Sequence, residues 1–151
     1  MPKFTTRMQV AAAAVLAAST LALAVPASAA GPSGKLAFSG ALSGTLVLGP
    51  TSGCDASTNG VTLSSMTGHL SSKKFKTWSV TVYVTKVGTY SSFKFLKDSF
   101  VLDTSNFTGW VATKGTMTIT STGGRVNATL AGHEGQASGT LKVKGSWQCT
   151  A

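Results

Sequence analysis

The sequence predicts an all-β domain, a single antiparallel β-sandwich or small β-barrel of about eight strands, closed by one disulfide and preceded by a helical export signal. Three observations lead there. Apolar residues recur with a period of two along nearly all of residues 31–151, as half-buried strands require. Clusters of Gly, Pro, Ser and Asn interrupt that period about every 8 to 12 residues, with no amphipathic helix of useful length between them. Cys54 and Cys149 are the only cysteines.

Residues 1–30 have the parts of a cleavable secretory signal. Lys3 and Arg7 supply a positive end, residues 10–25 carry no charge, and Pro26-Ala27-Ser28-Ala29-Ala30 follows. Pro26 stops the helix, and Ala27 and Ala29 give the small-x-small shape that signal peptidase accepts. Cleavage is expected after Ala29 or Ala30. The uncharged run falls short of the ~20 residues of a spanning helix. The first cysteine is Cys54 and Arg7 has no arginine beside it, so neither lipid attachment at the cleavage point nor a twin-arginine route is expected. The expectation is a secreted, extracellular domain, residues 31–151, without a membrane anchor once the signal is cut.

The chain carries 13 Lys and Arg against 4 Asp and Glu, a net charge of +9. Lys3 and Arg7 leave with the signal and no acid does, so the bias persists in the domain. Such a protein concentrates near polyanions: anionic cell-wall polymer, acidic polysaccharide, lipid headgroups or extracellular nucleic acid. With Asp55, Asp98, Asp103 and Glu134 as the whole acidic complement, much of the remaining surface is Ser and Thr.

Cys54 and Cys149 lie 95 residues apart in a chain bound for an oxidising compartment, which makes a disulfide the expected state. Closing so long a loop contributes about 4 to 5 kcal/mol at most in the chain-entropy account.

The strands can be taken in order. Leu36, Phe38, Leu42, Leu46 and Leu48 share one parity, interrupted by Gly49-Pro50-Thr51-Ser52-Gly53; Cys54 follows, and residues 55–60 suggest a polar turn. Val61 and Leu63 start the next strand, ahead of a charged turn over residues 71–76. The clearest strand covers residues 78–87, with Trp78, Val80, Val82 and Val84 on one face and Ser79, Thr81, Tyr83 and Thr85 on the other. Phe93, Phe95, Phe100 and Leu102 indicate one or two more before a turn at Asp103-Thr104-Ser105-Asn106. Met117 and Ile119, a tight turn at Gly123-Gly124, then Val126, Ala128 and Leu130 describe a hairpin. Leu141, Val143, Gly145, Trp147 and Cys149 share the last inward parity, which points Lys142 and Lys144 to solvent and buries the disulfide. Ser43-Gly44-Thr45-Leu46, Lys114-Gly115-Thr116-Met117 and Ser138-Gly139-Thr140-Leu141 repeat one turn-to-strand solution at irregular spacing, which excludes a solenoid.

Catalytic raw material is scarce: His69, His133 and four acids. His133-Glu134 would need a histidine at 137 to begin a zinc helix, and Ala137 stands there between loop glycines. His69 beside Lys73 and Lys74 has the acid, base and cation of a small nuclease, at a frequency chance alone supplies. Lys73, Lys74 and Lys76, with Phe75 and Trp78, make the densest cationic cluster and the first candidate contact with a polyanion, Lys142 and Lys144 being the second. Trp78 shares the parity of Val80 and belongs to the core. Gly-rich segments lack the Lys and helix of a phosphate loop, so no cofactor is expected, nor a metal.

The closing segments Gly115-Thr116-Met117-Thr118-Ile119, Gly124-Arg125-Val126-Asn127-Ala128-Thr129-Leu130 and Ser138 through Ser146-Trp147-Gln148-Cys149 resemble small actinobacterial secreted β-proteins that end in a G-S-W-x-C strand. More distantly they resemble the mycobacterial lipoprotein antigens, whose acylated mature-end Cys has no counterpart here. The resemblance covers about the last third of the chain plus Cys54. It implies a cell-envelope or extracellular β domain and carries no catalytic residue. The sequence therefore leads to a non-enzymatic binding domain for an anionic cell-wall polymer or polysaccharide, without specific nucleic-acid recognition. Its alternatives are a β-barrel carrier of a small apolar ligand and a small secreted hydrolase or nuclease using His69 or His133.

Overall fold

The structure, a computed structural model, describes residues 31–57, 60–71, 77–104, 108–133 and 137–149. The clusters Lys73, Lys74 and Lys76, and Glu134, lie outside them, as does the export signal. The described residues form eleven strands: β1 (Ser33–Gly40), β2 (Gly44–Leu48), β3 (Gly53–Ser57), β4 (Gly60–Ser64), β5 (Thr67–Leu70), β6 (Trp78–Tyr83), β7 (Gly88–Tyr90), β8 (Ser99–Thr104), β9 (Thr108–Ile119), β10 (Gly123–Gly132) and β11 (Thr140–Gln148). All pairings are antiparallel within one sheet, in the order β3-β4-β6-β8-β9-β10-β11-β1-β2-β5, with β7 against β9.

Eleven strands stand where about eight were expected, because β3, β5 and β7 are only five, four and three residues long. A period of two hardly registers over so few positions. The segment taken for a polar turn after Cys54 is β3 as far as Ser57, its Asp55 opposite Thr62. β3 ends the sheet order, and a charged side chain suits an edge strand that must not recruit another chain. Asp103 and Thr104 close β8, where a turn was expected.

One apolar face needs a cover, and the sheet supplies it by curling into a half-barrel. Two features produce the curl. The first is a bend in β9. Its first half pairs with β8 and its second half with β7, while β10 follows it throughout. Between the halves the register slips: Lys114 faces Thr129 and Ala112 faces Leu130, so Thr113 is one residue too many. Such a bulge bends and twists its strand. Thr113 Oγ1 donates to the Thr129 carbonyl at 3.1 Å, and Gly115, at φ +124°, passes where a Cβ would lie 2.5 Å from the Ala128 Cα.

The second feature is a seam. The chain leaves β2, next to one edge of the sheet, and reaches β3 at the other edge through residues 49–52. It returns from β4 to β5 through Ser65 and Met66 alone. Ser52 ties these two links together. Its buried Oγ accepts from the Gly49 N–H at 3.0 Å and donates to the Ser65 carbonyl at 3.1 Å.

The expected parities hold inside the curl. Leu36, Leu46, Leu63, Val80, Val82, Phe100, Leu130 and Leu141 have no more than 1% of their surface exposed, each worth about 1.5 to 3 kcal/mol of burial. Phe100 meets Trp147 across the interior, ring centroids 6.3 Å apart. Cys54 of β3 and Cys149 after β11 are joined with Cα atoms 5.8 Å apart. They pack against the core but are half-buried, less enclosed than their parity implied. The strand beginning at Trp78 ends at Tyr83; Val84 is still buried, whereas Val87 is 65% exposed.

The Gly123-Gly124 pair is inside β10, and the hairpin turns at Ser121-Thr122, with the Thr120 N–H on the Gly123 carbonyl. The glycines serve packing. A Cβ on Gly124 would sit 2.6 Å from Trp147 Cζ2 and 2.8 Å from the Thr118 carbonyl oxygen. The repeated tetrapeptides share a turn-to-strand role only in part: Gly44 opens β2 and Gly139 precedes β11, whereas Gly115 lies inside β9 beside its bulge; all three have positive φ, and the residues two places on, Leu46, Met117 and Leu141, are core anchors.

Two outcomes follow for stability. Gly124→Ala lowers the unfolding free energy by about 1 to 3 kcal/mol, whereas Gly49→Ala, with nothing within 4 Å of its Cβ, stays within about 0.5 kcal/mol; urea denaturation compares them. Ser52→Ala orphans the Gly49 N–H and costs about 1 to 3 kcal/mol by the same measurement.

Candidate functional site

Strands β9, β10, β11 and β1 turn their second parity outward. The register sets these side chains in rows across the sheet. One row is Thr118, Arg125, Ser146 and Lys35, the next is Thr116, Asn127, Lys144 and Ala37, and the third is Lys114, Thr129, Lys142 and Ser39. Neighbouring rows are ~7 Å apart and neighbouring strands ~4.8 Å. Five cations thus share four adjacent strands. No acid joins them: among the described residues Asp55 is on β3, Asp98 precedes β8 and Asp103 is within it.

The face is shallowly concave. A depression of about 620 Å³ runs over Thr116, Thr118, Arg125, Asn127, Lys144, Ser146 and Gln148. A second, lined by Lys114, Thr116, Asn127, Thr129 and Lys142, continues it. Hydroxyl, amide and cationic groups line both. They can donate several hydrogen bonds to anionic or hydroxyl oxygens, and their cations repel one another unless an anion lies between them. No aromatic side chain stands in these rows, so bases would find no stacking platform.

Of the expected contacts, Lys142 and Lys144 are here, exposed on β11 and alternating with buried Leu141 and Val143. Lys35, Lys114 and Arg125 complete the site and were not singled out in the sequence. Arg125 was legible in principle, since Val126, Ala128 and Leu130 point inward and its own parity is opposite. Pairing it with Thr118 and Ser146 needs the hairpin register, which a turn at Gly123-Gly124 would have shifted.

The two histidines do not converge. His69 is on the edge strand β5, opposite Thr45, in line with Lys144 but three strands further on. His133 follows β10 and stacks on Phe95 with ring centroids 4.4 Å apart. Phe95 also meets Tyr83 edge-on at 6.3 Å. In the sheet order β11, β1 and β2 separate β5 from β10. Among the described residues no group of three His, Cys, Asp or Glu side chains is placed to hold a metal ion.

One carboxyl group has an unusual environment. Asp103, half-buried on β8, is pushed above the ordinary Asp value by burial, against hydrogen bonds from Thr81 and Thr108 that favour its charged form. The Thr81 hydroxyl donates to its Oδ2 at 2.8 Å. The Tyr83 phenol is also pushed upward, first by burial and then by the Asp103 carboxylate. This pair lies on β6 and β8, apart from the basic rows.

No protein-family model, no curated protein and no solved structure matches the chain.

The Asp103 environment has a pH consequence. Its proton is held more tightly in the folded chain than in the unfolded one, so stability falls as pH rises from the ordinary Asp value, about 3.9, through the raised one. Asp103→Asn removes that part of the slope, and the two stability profiles, measured by denaturation from about pH 3.5 to 7, converge at the acid end.

Proposed function

We propose that this chain is an exported, non-enzymatic binding domain that holds an anionic polymer of the cell envelope or extracellular space along the outer face of β9, β10, β11 and β1. The observation carrying the reading is the set of rows containing Lys35, Lys114, Arg125, Lys142 and Lys144 without an acidic residue among them. Uncompensated like charges ~7 to 10 Å apart work against folding. A linear polyanion lying across the strands removes that repulsion and meets Thr116, Thr118, Asn127 and Ser146 as neutral donors between the cations.

Export is supported by the signal-like residues 1–30 and by the Cys54–Cys149 disulfide, which suits an oxidising compartment. The absence of stacking rings from the rows favours a teichoic-type or acidic polysaccharide chain over nucleic acid. A binding role is favoured over a catalytic one because the depression on this face is lined by cations and neutral hydrogen-bonding groups, while His69 and His133 stand elsewhere.

The test is retention on immobilised poly(glycerol phosphate) and on heparin as salt is raised. Binding is expected at low ionic strength and is lost over the range in which the Debye length shrinks from ~30 Å to ~10 Å. Lys142→Glu with Lys144→Glu weakens it at least about tenfold, and Lys94→Glu with Lys97→Glu, away from the rows, changes it about twofold or less. Equal effects from the two pairs, or no retention at low salt, overturn the reading.

A further inference from the structure

Residues 84–98 leave the sheet and return to it at one place, since Tyr83 at the end of β6 is opposite Ser99 at the start of β8. Between them lie β7 and two short turns. Among the described residues four large apolar side chains are exposed, and three of them, Val87, Phe95 and Leu96, belong to this excursion. Single exposed apolar residues are ordinary on a protein surface, but their concentration in one segment marks a contact.

The second turn carries the most. Lys94, Phe95, Leu96 and Lys97 are exposed in succession, so an apolar pair is bracketed by two cations, with half-buried Asp98 behind them. The turn is tied at its base: the Lys94 N–H donates to the Asp98 carbonyl and the Asp98 N–H to the Lys94 carbonyl, each at 3.0 Å. Phe95 is held on one side by Tyr83 and His133 and is still 39% exposed. Leu96 is 56% exposed and has a φ of +63°. That left-handed conformation is costly for leucine and natural for glycine or asparagine. Among the described residues Leu96 is not one of those packed against the core. One residue thus bears two costs, a strained backbone and an apolar side chain in water, and the core gains nothing from either.

We infer that the turn from Lys94 to Asp98 is a docking point for an anionic lipid surface, where Leu96 and Phe95 enter the boundary between headgroups and acyl chains and Lys94 and Lys97 stay at the phosphates. Charge and composition select this occupant. A pocket on another protein would have to seat a cation on each side of the apolar pair, whereas an anionic bilayer is negative above and apolar below. Lysine stems run along the apolar side chains and keep their ammonium groups in the polar layer. The turn is already formed, so little ordering cost remains. The contact is peripheral and reversible, and it does not use the basic rows of β9, β10, β11 and β1.

Co-sedimentation with vesicles of equimolar phosphatidylglycerol and phosphatidylcholine tests the assignment, at ~0.15 M salt where the Debye length is ~8 Å. The protein is expected to partition onto them, and more weakly onto phosphatidylcholine alone. Leu96→Asn weakens partitioning at least about fivefold and leaves the urea midpoint of unfolding unchanged or higher, because asparagine accepts the left-handed backbone. Lys94→Glu with Lys97→Glu weakens it at least about tenfold. Lys142→Glu with Lys144→Glu has a smaller effect, which separates the turn from polymer binding. No partitioning, equal partitioning onto neutral vesicles, a lower urea midpoint for Leu96→Asn, or an equal or larger loss from the Lys142 and Lys144 pair overturns the assignment. So does a dimer in sedimentation equilibrium that Leu96→Asn dissolves, which would give the turn to a second copy of the chain.

Discussion

Everything in this molecule depends on the burial of one sheet face with nothing but the same sheet to cover it. Among the described residues there is no helix to lay over Leu36, Val80, Phe100 and Leu141 and no second sheet to stack on them. The sheet must therefore turn its own apolar side inward, and a flat arrangement of the same strands would leave those side chains in water. The extra residue at Thr113, the left-handed backbone at Gly115 and the Ser52 hydrogen bonds at the seam all serve that requirement. The disulfide acts on the same geometry from one end of the curl, holding β3 against the end of β11.

The parts legible in the sequence were those governed by alternation alone. Val126, Ala128 and Leu130 against Arg125 and Asn127, and Leu141, Val143 and Trp147 against Lys142 and Lys144, could be assigned because each strand is long and one-sided. The parts that were not legible depend on neighbours. β3 resembles a turn because Asp55, Ala56 and Ser57 all face solvent at an edge. Gly123-Gly124 resembles a hairpin turn because nothing local reveals that Trp147 from another strand occupies the space a side chain would need. The basic face belongs to the second kind. Its five cations are scattered from residue 35 to residue 144, and only the register brings them into rows.

The two faces of the sheet differ in how each could change. The inner face is constrained by volume: its tryptophans, phenylalanines and leucines fit one another, and a single added carbon at Gly124 meets two neighbours. The outer face is constrained by charge and hydrogen bonding, with no close packing to preserve. Threonine, serine and asparagine between the cations keep it wet and neutral where it is not positive. Substitutions there would alter what the surface attracts without altering the fold beneath it.

The place of β11 has a consequence for when this fold can exist. Ser33 of β1 is registered with Gln148 of β11, and β11 in turn separates β1 from β10. Strands β1, β2 and β5, the first to leave the ribosome along with β3 and β4, have no sheet to join until the final strand has been made. Union of the two flanks is thereby postponed until β11 is available, since that pairing has the largest loop to close. The flank from β3 to β10 can pair strand by strand before then, so what waits for β11 is the closing of the curl over its own apolar face.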